Sequence, residues 1–209
     1  MRLKARQAKQ AHQRVAGFLG LFLAVHFATH FSALLGISAQ DAVMQAGRKV
    51  YRIPVVELAL VAALAIQVFL GIDLLRRISS RKRKDAWHWV QFASGCYLAY
   101  FIVQHTIAAL VSRLGFGLDT NFYWAAGTLT LDPLRYGFAP YYTLVIIALV
   151  AHLVAALHFR GARRWHAPTL ALGPIAGIAI VMAYGGGLYA IELPQDYHDF
   201  FSAFPGVRI

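Results

Sequence analysis

The sequence predicts an all-α, polytopic membrane protein, with five transmembrane helices forming one bundle in a single domain, residues 1–209. Three observations carry the membrane class. The 209 residues are 59% hydrophobic and only 14% charged, where a soluble domain carries about 25% charged residues. The apolar residues fall in runs near the ~20 residues a helix needs to cross the hydrocarbon core. The basic residues behind the net charge of +11 sit in short stretches between those runs, a pattern of membrane topology rather than of nucleic-acid binding.

The first run, about 15–37, follows the basic tail MRLKARQAKQAHQR. It is too long for a signal-peptide core, and no small-residue cleavage site follows, so it reads as a retained first span. The second span is about 54–75, the third 87–110, the fourth 141–159 and the fifth 170–191. Gly, Ala and Ser recur within the spans, which permits close helix packing. No internal repeat or low-complexity linker divides the chain. Cys96 is the one cysteine, so no intramolecular disulfide forms.

Lys and Arg set the expected orientation. The N-terminal tail, the second-to-third connection and the fourth-to-fifth connection hold fourteen of them, against six on the other side. The N-terminus is therefore expected in the cytoplasm and the C-terminus outside, across the cell inner membrane. On the outer side, 38–52 reads as a short helix lying on the membrane. The segment 115–140 carries Phe122, Tyr123, Trp124, Tyr136 and Phe138, which are interface anchors in one reading and a cap over an outer cofactor in the other. The polar, aromatic C-terminal tail is expected along the same surface.

Ionisable side chains inside spans are functional-site candidates by default. His30 lies 16 residues after Arg14 and His105 lies 20 after Asp85, depths of roughly 24 and 30 Å at the helical rise per residue. They form an outer tier on the first and third spans. Opposed histidines on facing helices can hold a haem iron, one on each face. His26, one turn before His30 on the same face, is an alternative ligand or a partner for a propionate. His152 lies 8 residues before Arg160 and Gln67 lies 9 before Arg76, roughly 12 to 14 Å from the inner edge. They form an inner tier on the fourth and second spans. Glutamine is a poor haem ligand, so this tier is incomplete as an iron site. A lone intramembrane histidine can also simply bond a backbone carbonyl. His12, His88, His158, His166 and His198 read as interface residues. Glu57, about one turn inside the second span, is expected to pair with Arg52 or Arg113 or to reach the interface, and Asp73 to pair with Arg76 or Arg77.

Arg14-Val15-Ala16-Gly17, opening the first span after a basic tail, resembles the R-V-S/T-G entry of succinate dehydrogenase cytochrome b subunits. GIDLLRR after Gln67 and HLVAALHF at His152 resemble helix ends in the same anchors. The five-span layout looks like the single-chain cytochrome b of succinate:quinone and quinol:fumarate reductases. The resemblance covers nearly the whole chain through short motifs. In diheme members of that family one histidine stands on each of the first four spans, the first and third holding the distal haem, the second and fourth the proximal one. Carried over, His30 (or His26) and His105 match the distal pair as ligands of the haem iron. His152 matches one proximal ligand, and Gln67 stands where the other should be. The resemblance thus implies one haem b, with an inner site changed in character. It also implies a flavoprotein and an iron–sulfur protein docked on the cytoplasmic face and quinone as the membrane substrate. Arg14, with His12 nearby, becomes a candidate for polarising a quinone carbonyl. The chain itself would be an oxidoreductase subunit without the substrate-oxidising site. The competing expectations are a free-standing b-type cytochrome and an accessory subunit of a larger respiratory or photosynthetic complex. A transporter would want broken helices or inverted repeats, and the sequence has neither.

Overall fold

A computed structural model describes residues 4–161 and 166–207; Arg2, Arg163, Arg164 and Arg208 of the charge balance lie outside the described residues. The chain folds as α1 (Ala5–Ser32), α2 (Ile37–Tyr51), α3 (Pro54–Ser79), α4 (Ala86–Leu110), α5 (Phe122–Thr130), α6 (Leu134–His158), α7 (His166–Tyr184) and α8 (Gln195–Ser202). Among the described residues there is no strand. Four helical stretches are long and apolar enough to cross a membrane: Ala5–Leu35, Pro54–Ser79, Ala86–Gly115 and Leu134–His158. The chain is a membrane-embedded, multi-pass helical protein.

Its exterior fits that class. Leu21, Leu58 and Phe69 are 70 to 75% exposed, in mid-helix. Such faces are stable only against lipid, because hydrocarbon satisfies no backbone group and a helix satisfies its own. Local signals set the helix ends. Pro54 opens α3 at a position where its missing N–H costs nothing. Asp85 caps α4 by accepting from the backbone N–H of His88 at 2.9 Å.

Several expected boundaries move. α1 begins at Ala5, ten residues before the expected 15, because the basic tail is itself a good helix former and α3 runs alongside it. α6 begins at Leu134 and runs through Pro140. In an apolar setting, leaving the helix costs more than the one backbone bond that proline removes. The expected fifth span, 170–191, is not among the four: α7 ends at Tyr184, and its apolar part, Pro168–Tyr184, is a shorter helix. Gly185, Gly186 and Gly187 follow, and Gly186 has φ +79°, a conformation that ends helices. α7 packs closely along α6. A Cβ at Gly177 would stand 3.1 to 3.2 Å from Thr143 atoms, backbone included, so a side chain there would force the two helices apart.

α1 packs on α3, α3 on α4, α4 on α6 and α6 on α7. Among the described residues α1 packs extensively against neither α4 nor α6, nor α3 against α6. The bundle is thus a curved wall of helices around an interior, and the candidate polar residues line that interior.

The outer segments close one end. The expected short helix in 38–52 is α2. Arg48 holds both oxygens of Asp119 at 3.0 and 2.8 Å, and Arg52 reaches Thr120 at 3.2 Å. Tyr197 of α8 donates to the Asp119 carbonyl at 2.7 Å. The C-terminal tail therefore clamps the loop before α5, and Phe201 packs where a Cβ on Gly127 would stand. Glu57 pairs with Arg113, one of the three expected outcomes. Asp73 pairs with Arg77 at 2.8 Å.

Candidate functional site

The interior polar groups form two tiers, as expected, but with different membership. At the outer tier, His26 and His30 share one face of α1, separated by one helical turn. Their Nε2 atoms are 3.2 Å apart and their ring centroids 4.5 Å apart. His105 enters from α4, and its ring centroid lies 6.1 Å from that of His26. Depth counting paired His105 with His30; the side chains bring His26 nearest, because His30 turns toward α7. There the Nδ1 of His30 is 3.0 Å from the hydroxyl of Tyr184. Aromatic rings wall the cluster. Phe22 stacks on His26 at 5.4 Å, Phe101 on His105 at 5.2 Å, and Trp124 stands 5.8 Å from His105. Trp124 also donates to Ser112 Oγ at 3.0 Å. The segment 115–140 thus does cap the outer tier, through Trp124, while Tyr136 remains exposed at the surface.

At the inner tier, Gln67 does not face His152 directly. Its amide Nε2 donates to Nε2 of His12, 3.0 Å away. His12 was expected at the interface because Arg14 was taken as the membrane edge. α1 instead begins nine residues before Arg14, which carries His12 to the level of Gln67. Arg14 is exposed. Two positions along a helix also put it on a different face from His12, so the structure brings only one of these two candidates to the tier. His152 of α6 lies against α4. Ser94 Oγ donates to the Val90 carbonyl at 2.6 Å, which leaves its oxygen to accept from Nδ1–H of His152 at 3.2 Å. Gly95 makes room for that ring: a Cβ there would be 3.2 Å from Cε1 of His152. His12 and His152 are within electrostatic reach of each other. Gln67 Oε1 is buried without a hydrogen-bond partner, and a buried, unpaired carbonyl is costly unless a ligand serves it.

Six interior side chains, His12, His26, His30, Gln67, His105 and His152, all keep some accessible surface although protein surrounds them. Two metal–imidazole bonds of about 2 Å each, plus two ring half-widths, come to roughly 6 Å, and the His26–His105 separation is 6.1 Å. In centroid spacing alone, His26 and His105 match a pair of imidazoles on either side of one metal ion. Among the described residues, no group of three or more His, Cys, Asp or Glu is arranged to hold a metal ion by itself. At the inner tier no imidazole pair faces across the interior in this way, since His12 rests on Gln67 and His152 on Ser94.

Sequence reasoning missed Ser94 and Tyr184. Ser94 and Tyr184 carried no signal, because each is an unremarked residue in an apolar run. Trp124 was named, but as an anchor first.

Fold and site together define a multi-pass helical membrane protein with a histidine-lined interior. Compared with protein-family models, curated proteins and solved structures, the chain matches none.

Proposed function

We propose that this chain is the membrane-anchor cytochrome b subunit of a succinate:quinone-type oxidoreductase. It passes electrons between a cytoplasmic flavoprotein/iron–sulfur module and membrane quinone. In this reading α7 is the fifth crossing of the inner membrane, with the N-terminus cytoplasmic and the C-terminus outside. The observation that carries it is the outer tier. His105 and His26 have ring centroids 6.1 Å apart, His30 touches His26, and aromatic rings wall the cluster, so His105 with an α1 imidazole, His30 or His26, is the candidate ligand pair. One haem b bound there supplies reversible one-electron chemistry. The residues' own part is to orient two neutral nitrogens and, through Phe22, Phe101 and Trp124, to exclude water. At the inner tier His12, Gln67, Ser94 and His152 offer neutral hydrogen-bonding groups of the kind that hold a quinone headgroup by its carbonyls. Arg14, exposed at the α1 surface, is the weaker of the two quinone candidates. The basic connection Arg76–Lys84 supports docking of an acidic partner surface.

The test is purification in mild detergent, followed by a reduced-minus-oxidised spectrum, a pyridine haemochrome assay and identification of co-purifying subunits. The expected result is one haem b per chain with a flavoprotein and an iron–sulfur protein bound. Absence of haem by both assays sinks the cytochrome reading. Haem without those partners favours a free-standing cytochrome.

A further inference from the structure

We propose that α4 carries a self-association face, and that two copies of this chain pair in the membrane through Gln104 and Tyr100. Cys96, Tyr100 and Gln104 follow one another at intervals of four residues, so they share one face of α4. All three are exposed, Tyr100 at 55%. The far side of the helix carries Ser94 and Gly95, both buried. The polar face therefore points away from the bundle.

The level of this face is what makes it costly. The spanning stretch is Ala86–Gly115, and Tyr100 lies 14 residues from its start and 15 from its end, roughly 21 and 22 Å at the helical rise. Gln104 lies one turn beyond that midpoint, still inside a hydrocarbon core about 30 Å thick. Among the described residues neither the Tyr100 hydroxyl nor the Gln104 carboxamide has a hydrogen-bond partner, and lipid offers none. The other long helices are different. The exposed residues of α1 between Gly17 and Leu35, of α3 between Pro54 and Ile72, and of α6 between Pro140 and Leu157 are all apolar. So are those of α7 between Pro168 and Met182. Among the described residues, α4 alone turns hydrogen-bonding groups outward at mid-membrane.

Their chemistry says what covers them. Two copies inserted in one membrane share an orientation, so a two-fold axis relating them runs along the membrane normal. Each residue then stands level with its own counterpart, and a group near the axis must bond to itself. A carboxamide has both donors and an acceptor, so two Gln104 side chains satisfy each other through a pair of N–H···O bonds. A hydroxyl donates and accepts in the same way. No exposed charge, which would repel its own copy, interrupts α4 from Ala93 to Leu114. Ala93, Cys96 and Ala108 are exposed beside the polar pair, and such small residues let two helix backbones approach closely. The histidine cluster faces the opposite side of the wall, so this pairing does not depend on haem.

The test uses the full chain. Sedimentation in mild detergent at falling protein concentration reads the monomer–dimer equilibrium. Oxidation by copper–phenanthroline in membranes reads proximity through Cys96, the one cysteine. The wild type is expected to be dimeric and to form a disulfide-linked dimer. Gln104→Leu is expected to raise the dissociation constant about tenfold, the size of one or two interhelical hydrogen bonds. Tyr100→Phe is expected to raise it by less, and it reads the same face if Gln104→Leu does not fold. Gln104→Asn, which keeps donor and acceptor, is expected to retain most of the dimer. In a Cys96→Ala background, Phe69→Cys on the exposed face of α3 is expected to stay uncross-linked. A chain that is monomeric at every concentration and uncross-linked overturns the proposal. So does a dimer whose dissociation constant is unchanged by both Gln104→Leu and Tyr100→Phe. Cross-linking of Cys96 to a different protein alone also overturns it, and gives the face to another subunit.

Discussion

At the outer tier imidazoles meet imidazoles: His26 touches His30, and His105 stands 6.1 Å across the gap. At the inner tier each imidazole rests on an uncharged polar partner, His12 on Gln67 and His152 on Ser94. What separates them is how each imidazole's nitrogens are occupied. Outside, Nε2 of His30 meets Nε2 of His26 and Nδ1 of His30 meets the Tyr184 hydroxyl, the arrangement the proposed haem site draws on. Inside, amide and hydroxyl groups already serve the imidazole nitrogens, and one amide oxygen is left over, which suits a ligand that exchanges hydrogen bonds. Partner chemistry, more than the number of histidines, distinguishes a ligand site from a hydrogen-bonding site.

The sharpest way to break this contrast is to remove one histidine from each tier. His105→Ala is expected to abolish the haem b absorption bands, while His152→Ala keeps them. The reverse result, read in one difference spectrum each, would exchange the roles of the tiers. Next in size, His12→Ala is expected to leave haem content unchanged and to weaken quinone about tenfold. That is roughly 1.4 kcal/mol, the upper range for one hydrogen bond, and it is read as KM for quinone in the assembled complex. An equal loss in Arg14→Ala would instead put the headgroup at the exposed arginine.

A smaller effect concerns the charges just outside the outer tier. Arg113→Met leaves Glu57 unpaired at a site about a quarter exposed. The expected cost is about 1 to 2 kcal/mol, between the values for exposed and fully buried pairs. The double variant Arg113→Met with Glu57→Leu should recover most of it in a detergent melting curve, and no recovery would mean that the pair is not the source.

The smallest effect is on the cap. Burial works to raise the Asp119 pKa, but the hydrogen bonds and charges of Arg48 and Arg52 outweigh it and hold the carboxyl below its ordinary value. A carboxylate depressed in the folded state stabilises it above the unfolded pKa, about 4. That contribution fades as pH falls through the folded value. Protease nicking of the outer segments is therefore expected to rise below about pH 4 in the wild type, and Asp119→Asn should show the raised rate already at neutral pH.

How far the site was legible differs residue by residue. His26, His30 and His105 announce themselves, because an ionisable group in an apolar run is costly without a purpose. His12 did not. A histidine two residues before an arginine reads as interface, and only the pairing of α1 with α3 sets its level opposite Gln67. Tyr184 was less visible still, since a tyrosine before three glycines says that a helix ends and nothing about what its hydroxyl meets. The choice between His26 and His30 was open on sequence, because residues one turn apart share a face.

The amino-acid order alone determined the class: apolar runs of spanning length, helical because nothing else satisfies the backbone in hydrocarbon, with basic residues confined to the connections. It also determined that imidazoles would lie inside. Tertiary structure decided which of them meet. Depth along one helix is a count of residues, whereas contact between helices depends on tilt, on offset and on which rotamer a neighbour permits. These vary by several ångströms, more than the length of a hydrogen bond. Hence His12 joined Gln67, His30 turned to Tyr184, and α7 stopped at Tyr184, where the glycines that follow let the chain leave the helix.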